Sequence, residues 1–209
     1  MMKKRTLALL YCVAMTSLAG CGFIAEQIKL EYNQPAGVSR IAGASNVSVN
    51  VQVTDQRQDK SKVSSKKDMY GIELAPITAA EDVAITIRKA IEQELQARGF
   101  QLASDTAHVK IAADLTRFYN DHKVGLFLGD AVADLIMAVI VKGQNGTQPY
   151  SRQIVAQGIE PNLQTQLASG NNARIALGRA LENGMKILFE DEEFLSALVV
   201  SSGAISRAK

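Results

Sequence analysis

The sequence predicts an α+β domain, a mixed or mainly antiparallel sheet with two main helices packed on one face. Three observations predict it. Val47, Val49, Val51 and Val53 alternate with Ser48, Asn50 and Gln52, the period of two expected of a strand with one buried face. Val83, Ile87, Ala90, Ile91 and Leu95 recur at helical spacing and mark one apolar stripe. The order strand, helix, strands, helix then suits a single sheet covered on one side. With 209 residues, 47% hydrophobic and 21% charged, the chain can bury a core and is not wholly disordered.

The first elements concern delivery rather than fold. Lys3, Lys4 and Arg5 precede an apolar run from Leu7 to Leu18. That run is too short for a spanning helix, which needs roughly 20 apolar residues, and reads as a secretory signal covering residues 1–20. It ends in Leu18-Ala19-Gly20-Cys21. This motif resembles the lipobox of bacterial lipoproteins. The resemblance implies cleavage between Gly20 and Cys21, diacylglycerol on the Cys21 thiol and acylation of the new amino terminus. Cys12 would leave with the signal and Cys21 would be consumed, so the mature chain would hold no free thiol or disulfide. Lipid chains contribute about 0.8 kcal/mol per buried CH₂, enough for two or more to anchor the chain stably. Gly22 is not aspartate, which by resemblance to enterobacterial sorting favours the outer membrane.

Charge follows from this. The 23 Lys and Arg against 21 Asp and Glu give the precursor a net charge of +2. Removing Lys3, Lys4 and Arg5 from the 23 leaves 20 basic residues, so the mature chain is at −1. No global basic balance then points to an acidic partner.

Residues 21–45 read as lipidated N-terminus and linker, with a possible short strand where Ile28, Leu30 and Tyr32 alternate with Lys29 and Glu31. The periplasmic domain follows at 46–200. After the valine strand, 55–71 is expected to be a solvated polar loop carrying Arg57, Lys60, Lys62, Lys66 and Lys67. Its functional alternative is an interaction patch for acidic head groups or glycan. Asp55 and Arg57 can pair at its edge as a surface pair worth about 0–1 kcal/mol. A helix is predicted from about 79 to 98, with Thr78 and Glu81 as a capping box, Gly99 as its left-handed cap and Glu92 and Glu94 on its exposed side. Strands are expected at 100–103, 109–118, 135–141 and 150–158. Gln144-Asn145-Gly146 supplies a hairpin turn, and 124–134 a loop or short helical turn. The last helix follows Ser169-Gly170-Asn171, with Ile175, Ala176, Ala180, Leu181, Leu188 and Phe189 buried. A short helix at 194–200 and a polar tail at 201–209 close the chain.

Little chemistry is visible. His108 and His122 lack metal-ligand spacing, so neither a metal site nor a cofactor beyond the covalent lipid is expected. No G-x-S-x-G, P-loop or dinucleotide fingerprint occurs, and both cysteines are committed. Asp130 and Asp134 could meet on one helical turn as paired carboxylates, although a loop or cap explains them more simply. With six Phe, five Tyr and no Trp, stacking platforms are few, and nucleic acid is not an expected partner.

The order of lipobox, Val-x-Val-x-Val-Thr-Asp-Gln-Arg, a helix closing in Ala97-Arg98-Gly99-Phe100, the 144–146 turn and an Ala/Asn-rich final helix resembles the YajG-type lipoproteins of Gram-negative bacteria. The resemblance covers roughly Cys21 to Leu198 and brings no established activity. It implies an envelope lipoprotein, which with Gly22 is expected to be lipid-anchored in the outer membrane and to face the periplasm. The expected role is a non-enzymatic binding or assembly module for an envelope protein or peptidoglycan. One alternative is a small-ligand binder, taking a peptidoglycan fragment or lipid in a groove beside 124–134. Another is a hydrolase using Asp130 or Asp134.

Overall fold

The alternating valines fold as expected. In the computed structural model, which describes residues 24–68, 70–104, 106–123, 128–164 and 169–201, they form β2, Ser48–Asp55. The segment expected to be a signal, with Gly20 and Cys21, and the tail after 201 lie outside the described residues. β2 sits between β5, Gln101–Leu102, and β6, Val109–Lys123, parallel to both. Val49 and Val51 are buried because they face the helices.

Three long strands complete the large sheet. β6 pairs antiparallel with β7, Leu128–Gly143, which pairs antiparallel with β8, Tyr150–Gln164, so the order is β5-β2-β6-β7-β8. The expected turn joins β7 to β8: Gly146 takes φ +78°, and Asn145 Oδ1 accepts from the Thr147 amide and hydroxyl. All three strands are longer than their apolar patterns predict. The expected loop or helical turn before 135 is corrected from 128 onwards, where the chain is strand. Ala131 and Ala133 are buried while Val132 and Asp134 face outward. Small and acidic residues keep the period of two but mute its hydrophobic signal.

The expected loop at 55–71 is also corrected. Between β2 and the first helix lies a hairpin of β3, Ser64–Lys67, and β4, Glu73–Ala79. A short strand β1, Glu26–Ile28, adds parallel to β4, giving a second sheet of order β1-β4-β3. β3 runs beside the outer half of β6, where β2 has ended, and Asn120 donates its amide to the Val63 carbonyl at 2.8 Å.

Helix α1 is Val83–Ala97. Thr78 and Ala79 belong to β4, so the predicted capping box does not form. Asp82 caps instead, accepting from the Ala84 amide at 2.8 Å. At the other end Gly99 takes φ +94°, its amide bonds Gln96 and the Phe100 amide bonds Leu95, a Schellman motif that satisfies end carbonyls. Val83, Ile87, Ala90, Ile91 and Leu95 are all buried; each large aliphatic is worth about 1.5–3 kcal/mol. Glu94, expected on the exposed side, is buried. It accepts from Tyr32 and Arg98, which docks the chain before β2 onto α1.

Helix α2, Gly170–Phe189, crosses the same face over β7 and β8, with Ala173, Ala176, Leu177, Ala180 and Leu181 turned inward. A third helix, α3, Glu192–Ser201, starts at Asp191, which accepts from the Glu193 amide, Tyr150 and Arg152. Phe194 then packs edge-on against Tyr150 and Phe189. No described helix covers the outer face of the large sheet, and Val155 and Ile159 are exposed there.

Candidate functional site at the junction of the two sheets

Most of the buried polar side chains lie where β3 meets the outer half of β6: Arg57, Ser64, Ser65, Asn120 and His122. They are placed there because β2 stops at Asp55 while β6 continues, and the hairpin fills the vacated edge.

Arg57 is the lock of this junction. Its Nε and Nη2 hold the Asp55 carboxylate at 2.9–3.2 Å, and its Nη1 donates to the carbonyls of Lys62 and Phe118 at 3.2 and 3.3 Å. The pair foreseen between Asp55 and Arg57 forms, but buried rather than on the surface: the two side chains are 12% and 6% exposed. Burial opposes ionisation of Asp55. The hydrogen bonds and charge of Arg57 outweigh it and hold the carboxyl below the usual range. A buried, bidentate pair is costly to break from one side.

The hairpin presents the remaining basic residues. Lys62 reaches Glu73 at 2.6 Å, Lys66 reaches Glu26 at 3.2 Å and Lys67 reaches Asp121 at 2.5 Å. Lys60 is exposed. Folding thus gives three of the lysines acidic partners from other strands or the hairpin's own second strand. A groove of about 540 Å³ opens between Arg57, Lys60 and Lys62 on one side and Glu81, Asp82 and Val83 at the start of α1 on the other.

Behind the lysines, Ser64 Oγ donates to the Asn120 carbonyl and Asn120 Nδ2 donates to Ser64 Oγ, both at 2.9 Å. His122 Nδ1 donates to the Ser65 carbonyl at 3.0 Å. Asn120 Oδ1 and His122 Nε2 are buried without a partner among the described residues. Burial lowers the His122 pKa, helped by Lys67 and opposed by the Ser65 bond and Asp121, so the ring stays neutral at pH values where a free imidazole begins to take up a proton. It is not arranged as a base for a nucleophile. The Ser65 hydroxyl lies 3.3 Å from the Tyr119 hydroxyl, and the imidazole Nδ1 bonds a backbone carbonyl. His108 stands elsewhere, bonded to Ser48 at the start of β6.

Asp130 and Asp134 do not share a helical turn. They lie four residues apart on extended β7, about 13 Å along the strand. Asp134 accepts from Arg117 at 2.9 Å and Gln157 at 3.0 Å. No group of three potential metal ligands occurs among the described residues. Gly20 and Cys21 fall outside them. So do residues 124–127, Val-Gly-Leu-Phe, within the stretch given above to a ligand groove. Two residues not singled out by the sequence stand out by exposure: Tyr70 and Ile72, 81% and 61% accessible at the β3–β4 turn. An apolar pair flanking Gly71, with Asp68 just before it, was the available signal.

A family model described as uncharacterized lipoprotein matches residues 35–198. No curated protein matches the sequence. Among solved structures, the chain is similar to protein XCC0632 from Xanthomonas campestris, at 13% identity and TM-score 0.55, covering 87% of this chain and 99% of that one. It is also similar to a minor lipoprotein from Acinetobacter baumannii, at 12% identity and TM-score 0.37, covering 66% and 87% respectively. At that identity the first likeness speaks to the fold alone.

Proposed function

This chain belongs to the uncharacterized lipoprotein family, and on that premise we propose that it is an outer-membrane lipoprotein held by a lipid on Cys21. Its periplasm-facing domain acts as a non-enzymatic module that binds or assembles envelope components. The observation that carries this reading is the family match over most of the folded chain, directly behind a lipobox-like Leu18-Ala19-Gly20-Cys21. No described helix is long and apolar enough to cross a membrane, and the lipobox-like motif ending at Cys21 supports a lipid anchor. The arrangement at the sheet junction supports a binding role. Its buried polar groups lock strands together, and Arg57, Lys60 and Lys62 line an open groove. The proposed interaction surface is the hairpin side bearing Lys60, Lys62, Lys66 and Lys67.

Metabolic labelling with a fatty-acid tracer tests the anchor. The parent chain is expected to take up label and Cys21→Ala to take up none; label in the mutant sinks the reading. Density separation of the two membranes checks the destination, with recovery in the inner membrane the opposing result. A second reading, a small-ligand binder, is favoured by the groove beside Arg57, Lys60 and the start of α1. A melting point raised by muropeptides, through mass action, would select it.

A further inference from the structure

The largest exposed apolar side chains of the hairpin turn and of the chain's described start lie at one end of the molecule. β1 and β4 are parallel, with Glu26 opposite Ile77, so both strands begin at the same end. The residues preceding Glu26 lead towards Cys21, and those preceding β4 form the β3–β4 turn. At that end Ile24 is 61% exposed, Tyr70 81% and Ile72 61%.

Hydrogen bonds to Asp68 tie together the residues that flank Gly71. Asp68 Oδ1 accepts from the amides of Tyr70 and Ile72 at 2.9 and 2.8 Å, and the Asp68 amide donates to the Ile72 carbonyl at 3.0 Å. Gly71 supplies the φ of +82° that closes it. Among the described residues both side chains stand largely open to solvent, and clustered apolar exposure of this kind marks contact surfaces.

Length decides what meets them. Glu26 is pinned to the fold by Lys66 Nζ at 3.2 Å and the Gly170 amide at 3.1 Å. From Cys21 to Glu26 is five residues, a reach of about 17 Å when fully extended. Ile72 precedes Ile77, the partner of Glu26, by the same number of residues, about 17 Å along the strand direction. A diacylglycerol on Cys21 takes a phospholipid's place, with the cysteine at headgroup level. With the starts of β1 and β4 turned to the bilayer, the extended tether brings the hairpin turn to that level and cannot lift it clear.

We propose that Tyr70 and Ile72, with Ile24 beside the tether, form a membrane-contact surface that enters the headgroup region of the phospholipid leaflet holding the Cys21 lipid. The proposal rests on the anchoring reading above. A tyrosine suits this position because its ring is apolar and its hydroxyl stays wet. The contact would fix the domain's orientation on the bilayer, so that α2, which starts at Gly170 beside Glu26, runs away from the membrane.

The chain has no tryptophan, which makes single-tryptophan reporters clean. Tyr70→Trp, Ile72→Trp and, as control near the far end of α2, Ile187→Trp would each be purified as the membrane-extracted full chain. Each is reconstituted in phosphatidylethanolamine–phosphatidylglycerol vesicles with brominated acyl chains. Intact mass reports whether Cys21 carries lipid. In lipidated chain, the 70 and 72 reporters are expected to shift to shorter wavelength and lose at least about twofold in intensity against unbrominated vesicles, with the 187 reporter unchanged. Lipidated chain whose 70 and 72 reporters are unquenched, or shift without quenching, overturns the membrane contact, the latter result pointing to a protein cover. An unmodified Cys21 mass overturns the anchoring reading itself and removes the premise of this one.

Discussion

Gly158 on β8 stands against Ala176 on α2 with no room for a side chain. A Cβ added there would lie 2.1 Å from the Ala176 carbonyl oxygen and 2.3 Å from the Ala180 amide nitrogen. Both neighbours are helix backbone, which cannot rotate away as a side chain can. Gly158→Ala therefore has to push α2 off the sheet, over a face where Ala176, Leu177, Ala180 and Leu181 are buried. The expected loss is at least about 3 kcal/mol, at the upper end for an overpacked core. Gly178→Ala, on the same helix with nothing within 4 Å of the added carbon, serves as control and should be neutral or slightly stabilising. Urea unfolding of the two variants checks both; equal midpoints would refute the close-packing account.

Arg57→Ala should be among the costliest changes outside the aliphatic core. It leaves Asp55 charged and buried without its partner, and it frees the carbonyls of Lys62 and Phe118 together. Breaking such a pair from one side costs about 3–5 kcal/mol. Arg57→Lys should rescue little, since a single ammonium cannot reproduce the fork on Asp55 and the two carbonyls. Acid titration gives a second view. Because the folded Asp55 pKa is depressed, its stabilisation is present above the unfolded value and is lost as pH falls through the folded one. A parent and an Arg57→Ala variant that lose stability in parallel below about pH 4 would contradict this.

How much of this was legible in the sequence depends on whether a residue's partner is near in the chain. The β2 valines, the α1 stripe, Gly99 and the Asn145-Gly146 turn report on themselves within a few residues, and they fold as read. The β3–β4 hairpin does not, because Ser64, Ser65, Lys66 and Lys67 carry no apolar alternation. They form a strand only because β6 extends past the end of β2 and offers them a neighbour. The candidate site was hidden for the same reason. Lys67 finds its acid at Asp121 and Lys66 at Glu26, pairings that no local pattern encodes. Glu94 was misplaced because the helical wheel shows its face but not Tyr32, which arrives from the N-terminal side. The anchor motif, by contrast, is contiguous, so it is read from neighbouring residues without reference to the fold.

His122 should make stability depend on pH in mildly acidic solution. Its folded pKa lies below the model-peptide value because the ring is buried, with Lys67 adding to the effect and Asp121 and the Ser65 carbonyl opposing it. Above about pH 6.5 the ring is neutral in both states and the full stability is present. As pH falls below that value the unfolded chain takes up a proton that the native chain refuses, and stability declines until the folded pKa is passed. His122→Gln removes the titration at similar polarity. The expected result is a stability slope between about pH 7.5 and 5.5 in the parent that is reduced in the variant. Superimposable slopes would show that His122 is not the group responsible.

The free edge of the large sheet should be protected by α2. β8 is the terminal strand of the large sheet, long enough to template another strand, and Val155 and Ile159 lie exposed on it. Such an edge invites pairing with a second chain unless its backbone groups are occupied. Two residues one helical turn apart do this. Asn183 Nδ2 donates to the Gln157 carbonyl at 2.8 Å, and Arg179 donates to the Ile159 carbonyl. Both reach over the edge from α2, so they consume acceptors that an incoming strand would need. Replacing Arg179 and Asn183 together by alanine leaves the core untouched, because both side chains are exposed, but it returns those carbonyls to the solvent. The double variant should associate more strongly than the parent as concentration rises, read as mass by light scattering behind a sizing column. Adding Val155→Lys should reverse the association, since an edge lysine charges the incoming strand's path. A double variant with the parent's mass across the concentration range would mean that the edge is guarded by something other than these two side chains.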